Sequence, residues 1–205
     1  MNVLVDAGMF TDRGGWIFDS QFEAEMGAPY LLAHGLGVPV ADAQTTVTLT
    51  QAGTYHVWVR TKDWVPEHHP GRFTVTVGGH TFDREFGATG RGWSWEDAGT
   101  IELAAGETGI VVHDLTGFDG RFDAVYLSLD DAPPPDGAGP ETRQWRRELR
   151  GHSAQPSAAN TTIRPNDSSG GIRPKMRAAA KTVRYSTATP APCSARPKSG
   201  FSTLL

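Results

Sequence analysis

Residues Ala52 to Trp64, AGTYHVWVRTKDW, constrain the fold more than any other stretch. Ala52-Gly53 reads as a turn, and Thr54 to Thr61 then runs as an unbroken strand pattern. Tyr55, Val57 and Val59 fall on one face, and His56, Trp58 and Arg60 on the other. β-branched and aromatic residues fill the run, and no proline or glycine intervenes until Pro66. The first set is what a sheet buries. Trp58 and Arg60 are too large and polar for an idle surface, so the strand is expected to be central, with a core in front and a half-covered, ligand-facing surface behind.

The rest of residues 1–132 supplies partners for such a strand. Asn2 to Val5, Thr45 to Leu49, Arg72 to Val77, Thr108 to His113 and Phe122 to Leu129 all carry strand patterns. Gly78-Gly79 marks a tight hairpin to His80-Thr81-Phe82, and Ala104 to Glu107 marks another turn. Trp93 to Leu103 reads as extended segments around Gly99. Phe10 to Phe22 reads as a loop with a short extended piece, and Gly27 to Gly37 and Thr116 to Gly120 as loops. Short strands, glycine turns and no long helical period indicate an all-β chain, an antiparallel β-sandwich of the jelly-roll kind.

Beyond Asp130 the character changes. Residues 1–135 hold 7 Lys+Arg against 19 Asp+Glu, a net −12, whereas residues 136–205 hold 12 against 4, a net +8. Residues 133–151 read as a proline-rich linker with a short helix, in which Glu141 to Arg150 would set Trp145 and Leu149 on one side. Residues 152–205, rich in Ala, Ser, Thr, Pro and Arg, have no sustained apolar period and are expected to be disordered. Cys193, the only cysteine, lies there, so no intrachain disulfide can form. No run approaches 18 apolar residues, and Met1-Asn2 leads directly into a strand without a signal segment. The chain as written is thus expected in the cytoplasm, or outside it if an N-terminal segment is missing.

Three patterns in order, AGTYHVWVR, ATGRGWSWEDAGTIELAAGE and GRFDAVYLS, together resemble the family 6 and family 35 carbohydrate-binding modules, galactose-binding-like β-sandwiches. The stretch from RGGWIFDSQFEAEMGAPYLLAHGLGVPV through HDLTGFDGRFDA is similar to one subgroup of these, which precedes the flavin domain of FAD-dependent oxidoreductases, some called xanthan-lyase-like. The resemblance covers roughly residues 3–130. It implies a non-catalytic module that binds carbohydrate or docks to a catalytic domain. Modules of this kind often hold a structural calcium between an early Ala-Glu and the Asp of the last strand. Here the early pair is Ala7-Gly8, with Asp123 alone in the second position. One carboxylate fewer weakens a site that needs six to eight oxygens, so calcium is not expected. After Arg150 no strand leads into a dinucleotide turn, only Ser168-Ser169-Gly170-Gly171, so this chain alone is expected to bind no FAD. The abrupt stop near Gly151 is what a frameshift or truncation upstream of a flavin domain would leave.

The candidate binding residues are Trp64, Trp93, Trp58, Arg60, Arg121 and Asp119. Trp64 and Trp93 lie in or beside loops, where a ring can stack on the apolar face of a pyranose, and both compete with the ordinary burial of tryptophan. Trp58 with Arg60 could form a stacked cation–aromatic pair. Trp16 and Trp95 fit packing better. His113-Asp114 and Gly117 to Arg121 form the richest polar loop, where acid–base chemistry is weighed against a plain Asp119-Gly120 turn with Arg121 pairing Asp119 or Asp123. His68 and His69 point apart on an extended chain, against a shared metal, and His34 fits a partly buried, satisfied histidine. No catalytic residue is assigned, and no nucleophile elbow, P-loop or zinc spacing is present. The basic residues from Arg143 onward read as a solvated charge excess, against nucleic acid as a partner. An acidic body disfavours acidic polysaccharides unless Arg60, Arg91 and Arg121 cluster.

Overall fold

The computed structural model describes residues 2–153, with side chains through residue 150. Beyond Ser153 the expected disordered tail, with Cys193, lies outside the described residues. The strands are β1 (Asn2–Asp6), β2 (Ile17–Asp19), β3 (Tyr30–His34), β4 (Ala43–Leu49), β5 (Gly53–Thr61), β6 (Phe73–Val77), β7 (His80–Thr81), β8 (Ser94–Leu103), β9 (Gly106–Asp114) and β10 (Phe118–Ser128). A single-turn helix α1 (Glu23–Met26) and a long helix α2 (Pro140–Ser153) complete the described elements.

All pairings are antiparallel, in two sheets. One runs β2-β3-β10-β5-β8, and β1 also pairs with β10; the other runs β4-β9-β6-β7. β10 is long enough to serve two neighbours along one edge: its first part pairs with β3 and its second with β1. The strand read as central, β5, lies between β10 and β8. Tyr55, Val57 and Val59 are fully buried in the core, facing Val47, Leu49, Phe73, Val75, Val77, Ile110 and Val112 of the opposite sheet. The second sheet alternates cleanly; along β4, Ala43, Thr45, Val47 and Leu49 point inward and the residues between them outward. The chain is thus an antiparallel β-sandwich. At the β6–β7 hairpin Gly78 and Gly79 have φ of 58° and 84°, both in the left-handed region that this two-residue turn demands.

Three segments differ from their sequence reading. Tyr30 to His34, within the supposed loop Gly27 to Gly37, is a strand, because Leu31 and Ala33 reach the core between the flanking glycines. β10 begins at Phe118 rather than Phe122, since Asp119 takes a left-handed φ of 59° in a bulge that lets the strand continue across the polar turn residues. Trp93 to Leu103 yields one ten-residue strand, with the irregularity at Gly99 absorbed as a bulge opposite Val57 and Trp58.

α2 packs against β1 on the outer face of the larger sheet. Trp145 and Leu149 join Leu4, Trp58, Trp95, Ala124 and Tyr126 in an apolar cluster separate from the main core. The preceding segment is tied down as well: Trp95 Nε1 donates to Pro135 O at 3.2 Å, and Thr142 Oγ1 to Asp136 O at 3.1 Å. Pro140 occupies the first helical position, where its missing N–H costs nothing.

Candidate functional site

The outer face of the larger sheet divides into two halves. The half beneath α2 holds Trp58 and Arg60. Arg60 is only 1% exposed. Its Nη1 donates to Asp123 at 3.0 Å, its Nε and Nη2 meet the Asp136 carboxylate at 3.1 and 3.0 Å, and Met26 O accepts a longer bond. Asp123 is the extra residue of a bulge between Phe122 and Ala124, which brings its carboxylate to Arg60; alternation alone would not have shown this. Arg146 of α2 also binds Asp123, and Arg150 binds Asp6. Trp58 stacks on His56, with ring centroids 4.6 Å apart, rather than on Arg60. In place of the half-covered, ligand-facing surface expected of Trp58 and Arg60, these residues lie under a helix clamped by ion pairs.

That clamp bears on calcium. The Asp123 carboxylate is fully buried and already accepts from two guanidiniums, Asp6 is paired with Arg150, and Gly8 offers no carboxylate. These residues do not fit a calcium ion at this position, because positive charge there already comes from arginine.

The other half of the face lies around β3 and the start of β10, where Tyr30 and Arg121 are buried while Trp64 and Phe118 stay exposed, and a loop framework supports it. Buried Asp114 accepts the N–H groups of Val40, Thr116 and Gly117 at 2.9–3.1 Å, while Gly117 O accepts from Gly35 and Gly37. A Cβ on Gly117 would stand 2.2 Å from Val38 O, so only glycine permits the two loops to meet so closely. This junction fixes the start of β10, whose Phe118 lies opposite His34 and whose Arg121 lies opposite Leu32 on β3.

Arg121 is the centre of the cluster. Its guanidinium carbon lies 4.9 Å from the Trp64 ring centroid and 5.5 Å from that of Phe22, so the cation is within cation–π reach of two aromatic rings. Nη1 donates to Asp119 O at 2.8 Å, and Nε, although buried, has no partner. Trp64 Nε1 donates to Phe118 O at 3.4 Å. Trp64 remains 40% exposed and Phe118 53%. Asp119 presents its carboxylate to His34 Nδ1 at 2.5 Å. Trp64, Arg121 and Asp119 therefore come together, and the structure adds Phe22, Phe118 and His34. His34 is about half exposed, in contrast to its reading as a partly buried residue.

Trp93 lies nearby but packs. Its ring lies 4.9 Å from that of Tyr30, tilted by 59°, and meets Phe22 edge-on at 6.3 Å, in a small cluster with Met26 and Ala28. Tyr30 donates its hydroxyl to Asp19 at 2.6 Å. Partial burial would raise the Asp19 pKa, but this bond and the N–H of Gln21 outweigh it and hold the carboxyl below its ordinary value. Trp16, edge-on to Phe73, and Trp95, against Tyr126 and Trp145, are packing residues.

The histidine candidates resolve into ordinary pairs. His113 meets Asp42 at 2.7 Å on the surface, while its neighbour Asp114 is consumed by loop N–H groups. His69 pairs with buried Asp63 at 2.5 Å, and His68 takes no part in that contact. Among the described residues no group of three or more His, Cys, Asp or Glu could hold a metal. No helix of the described residues is long and apolar enough to cross a membrane. Phe118 stands next to Gly117 in the sequence, a local signal that could have found it, whereas Phe22 has no such neighbour and its approach to Arg121 appears only in the tertiary structure.

No protein-family model matches the chain, and no curated protein matches it. Among solved structures, a GH26-CBM35 β-(1,4)-mannanase from Podospora anserina is similar with a TM-score of 0.50 at 17% identity, covering 65% of this chain and 29% of that one. A family 35 carbohydrate binding module from Clostridium thermocellum follows with a TM-score of 0.49 at 19% identity, covering 62% of this chain and 97% of the module. The chain thus spans under a third of the mannanase's length. At such identity the likeness to the mannanase shows the fold alone, an antiparallel β-sandwich.

Proposed function

We propose that the chain is a non-catalytic carbohydrate-binding module whose ligand stacks on Trp64. The observation that carries this reading is the half-exposed Trp64 ring backed by the Arg121 guanidinium at 4.9 Å. An indole fixed from behind offers an apolar plane to the C–H face of a pyranose with little ordering left to lose. The Asp119–His34 pair beside it supplies a carboxylate and a ring nitrogen for sugar hydroxyls. Arg121 is 5% exposed and serves chiefly to position the ring. Arg60 does not join it, and the body is acidic, so neutral sugars suit this face better than polyuronates.

Titrating the full chain with neutral and uronic-acid oligosaccharides, read by tryptophan fluorescence, tests the reading. Saturable binding to a neutral sugar, weakened more than about tenfold by Trp64→Ala, is the expected result. Unchanged affinity in that variant, or silence across the panel from folded protein, would overturn it.

A second reading is domain docking, favoured by exposed Leu36, Val38 and Phe118 in the same loop region. The sequence similarity to modules preceding a flavin domain supports an FAD-dependent oxidoreductase as the parent protein. In that case the cofactor and its chemistry would belong to the other domain.

A further inference from the structure

α2 carries Arg143, Arg146, Arg147 and Arg150, spaced i, i+3, i+4 and i+7 and hence on one face of the helix. Together with Gly27 and Ala28, at the turn between α1 and β3, these four side chains line a cleft. Gly27 has a φ of +85°, and a Cβ built there would lie 3.5 Å from Arg143 Cγ, so the turn and the helix stand at van der Waals distance. Two of the four charges are matched, Arg146 by Asp123 and Arg150 by Asp6. Arg143 and Arg147 make no ion pair among the described residues. The cleft therefore holds two positive charges in excess of its carboxylates.

A second observation is independent of that charge count. Arg146 is only 4% exposed, lines the cleft, and keeps its Nε without a hydrogen-bond partner. A buried guanidinium N–H left unpaired is destabilising, and an acceptor entering the cleft would remove that penalty. Docking α2 to the sheet explains Arg146 Nη1, Arg146 Nη2 and Arg150. It leaves Arg143, Arg147 and this Nε unexplained.

We propose that the cleft is a binding site for a doubly charged tetrahedral oxyanion, of the phosphate or sulfate class, either free or as an ester on a larger molecule. Guanidinium forks match such oxygens in pairs, and two uncompensated charges match a dianion. The site is remote in role from the Trp64 face and does not depend on the sugar reading.

The test is calorimetric titration of the full chain with sodium phosphate and sodium sulfate at constant ionic strength in sodium chloride, together with a parallel series of a monosaccharide phosphate and a monosaccharide sulfate. Saturable binding of the inorganic dianions, weakened at least tenfold in Arg143→Ala/Arg147→Ala, is the expected result. Tighter binding of an ester than of its inorganic parent would identify the ester as the source, and the reverse would identify the free anion. Arg143→Lys/Arg147→Lys, which keeps charge but loses the fork, should fall between wild type and the alanine pair. If the alanine pair does not fold, Arg147→Ala alone must still weaken binding. The absence of saturable heat at constant ionic strength, or equal affinity in wild type and the arginine variants, would overturn the proposal. Trp64→Ala should retain anion binding, so failure of the sugar reading and failure of this one are distinguishable.

Discussion

Asp123→Ala offers the sharpest test of how α2 is held to the sandwich. The wild-type carboxylate is fully buried, accepts from Arg60 Nη1 at 3.0 Å and from Arg146 Nη1 at 3.2 Å, and makes a further contact with Arg146 Nη2. Removing it leaves two buried guanidiniums without their common anion. Breaking a buried pair from one side costs roughly 3–5 kcal/mol, mostly the desolvation of the charge left behind. Arg60 keeps Asp136 and Met26 O, whereas Arg146 loses its hydrogen bonds and keeps only the electrostatic attraction of Asp6, so a loss of about 3–4 kcal/mol is expected. For a chain of this size that corresponds to a fall in Tm of roughly 6–15 °C. Urea unfolding followed in parallel by tryptophan fluorescence and circular dichroism would measure it. An apolar replacement of the whole group, Arg60→Met/Asp123→Leu/Arg146→Met, should regain most of the loss, since the penalty lies in the unpaired charges. A loss below about 1 kcal/mol in Asp123→Ala would refute the view that this carboxylate holds the helix in place.

Two further predictions concern other parts of the molecule. Glu96 is buried, and burial raises its pKa above the ordinary 4.5 despite bonds from Thr89 and Arg84. The folded state therefore binds the extra proton, and stability falls as pH rises from about 4.5 through the folded value. Wild type should lose ground to Glu96→Gln over that window in denaturation series at stepped pH, and a difference of the opposite slope would contradict the assignment. Gly117→Ala forces a side chain into a φ of +67° and 2.2 Å from Val38 O, at an expected cost of roughly 2–5 kcal/mol. Chemical denaturation should show it, and a near-neutral effect would mean that the loop pair under Phe118 is free to part.

The sequence alone determined the sandwich. Alternation in Thr54 to Thr61, Thr45 to Leu49 and Arg72 to Val77 has a period of two, and a period of two with one apolar face has few ways to bury itself other than a sheet packed on a sheet. It also singled out Trp64, Arg121 and Asp119, the first as a large aromatic at the start of a proline-flanked loop and the other two as a cation and an acid on either side of Gly120. Tertiary structure decided which face each residue serves. Trp58 and Arg60 shared a strand face with no sign of what would cover it, and the cover comes from Trp145, Arg146 and Leu149, some ninety residues on. Asp123 reaches Arg60 only through a bulge, and Arg121 of β10 meets Trp64 and Phe22 from two loops distant in the sequence. Periodicity reports a residue's orientation relative to its own strand. Which charge or ring meets it across space is set by pairings between distant segments, and those have no local signature.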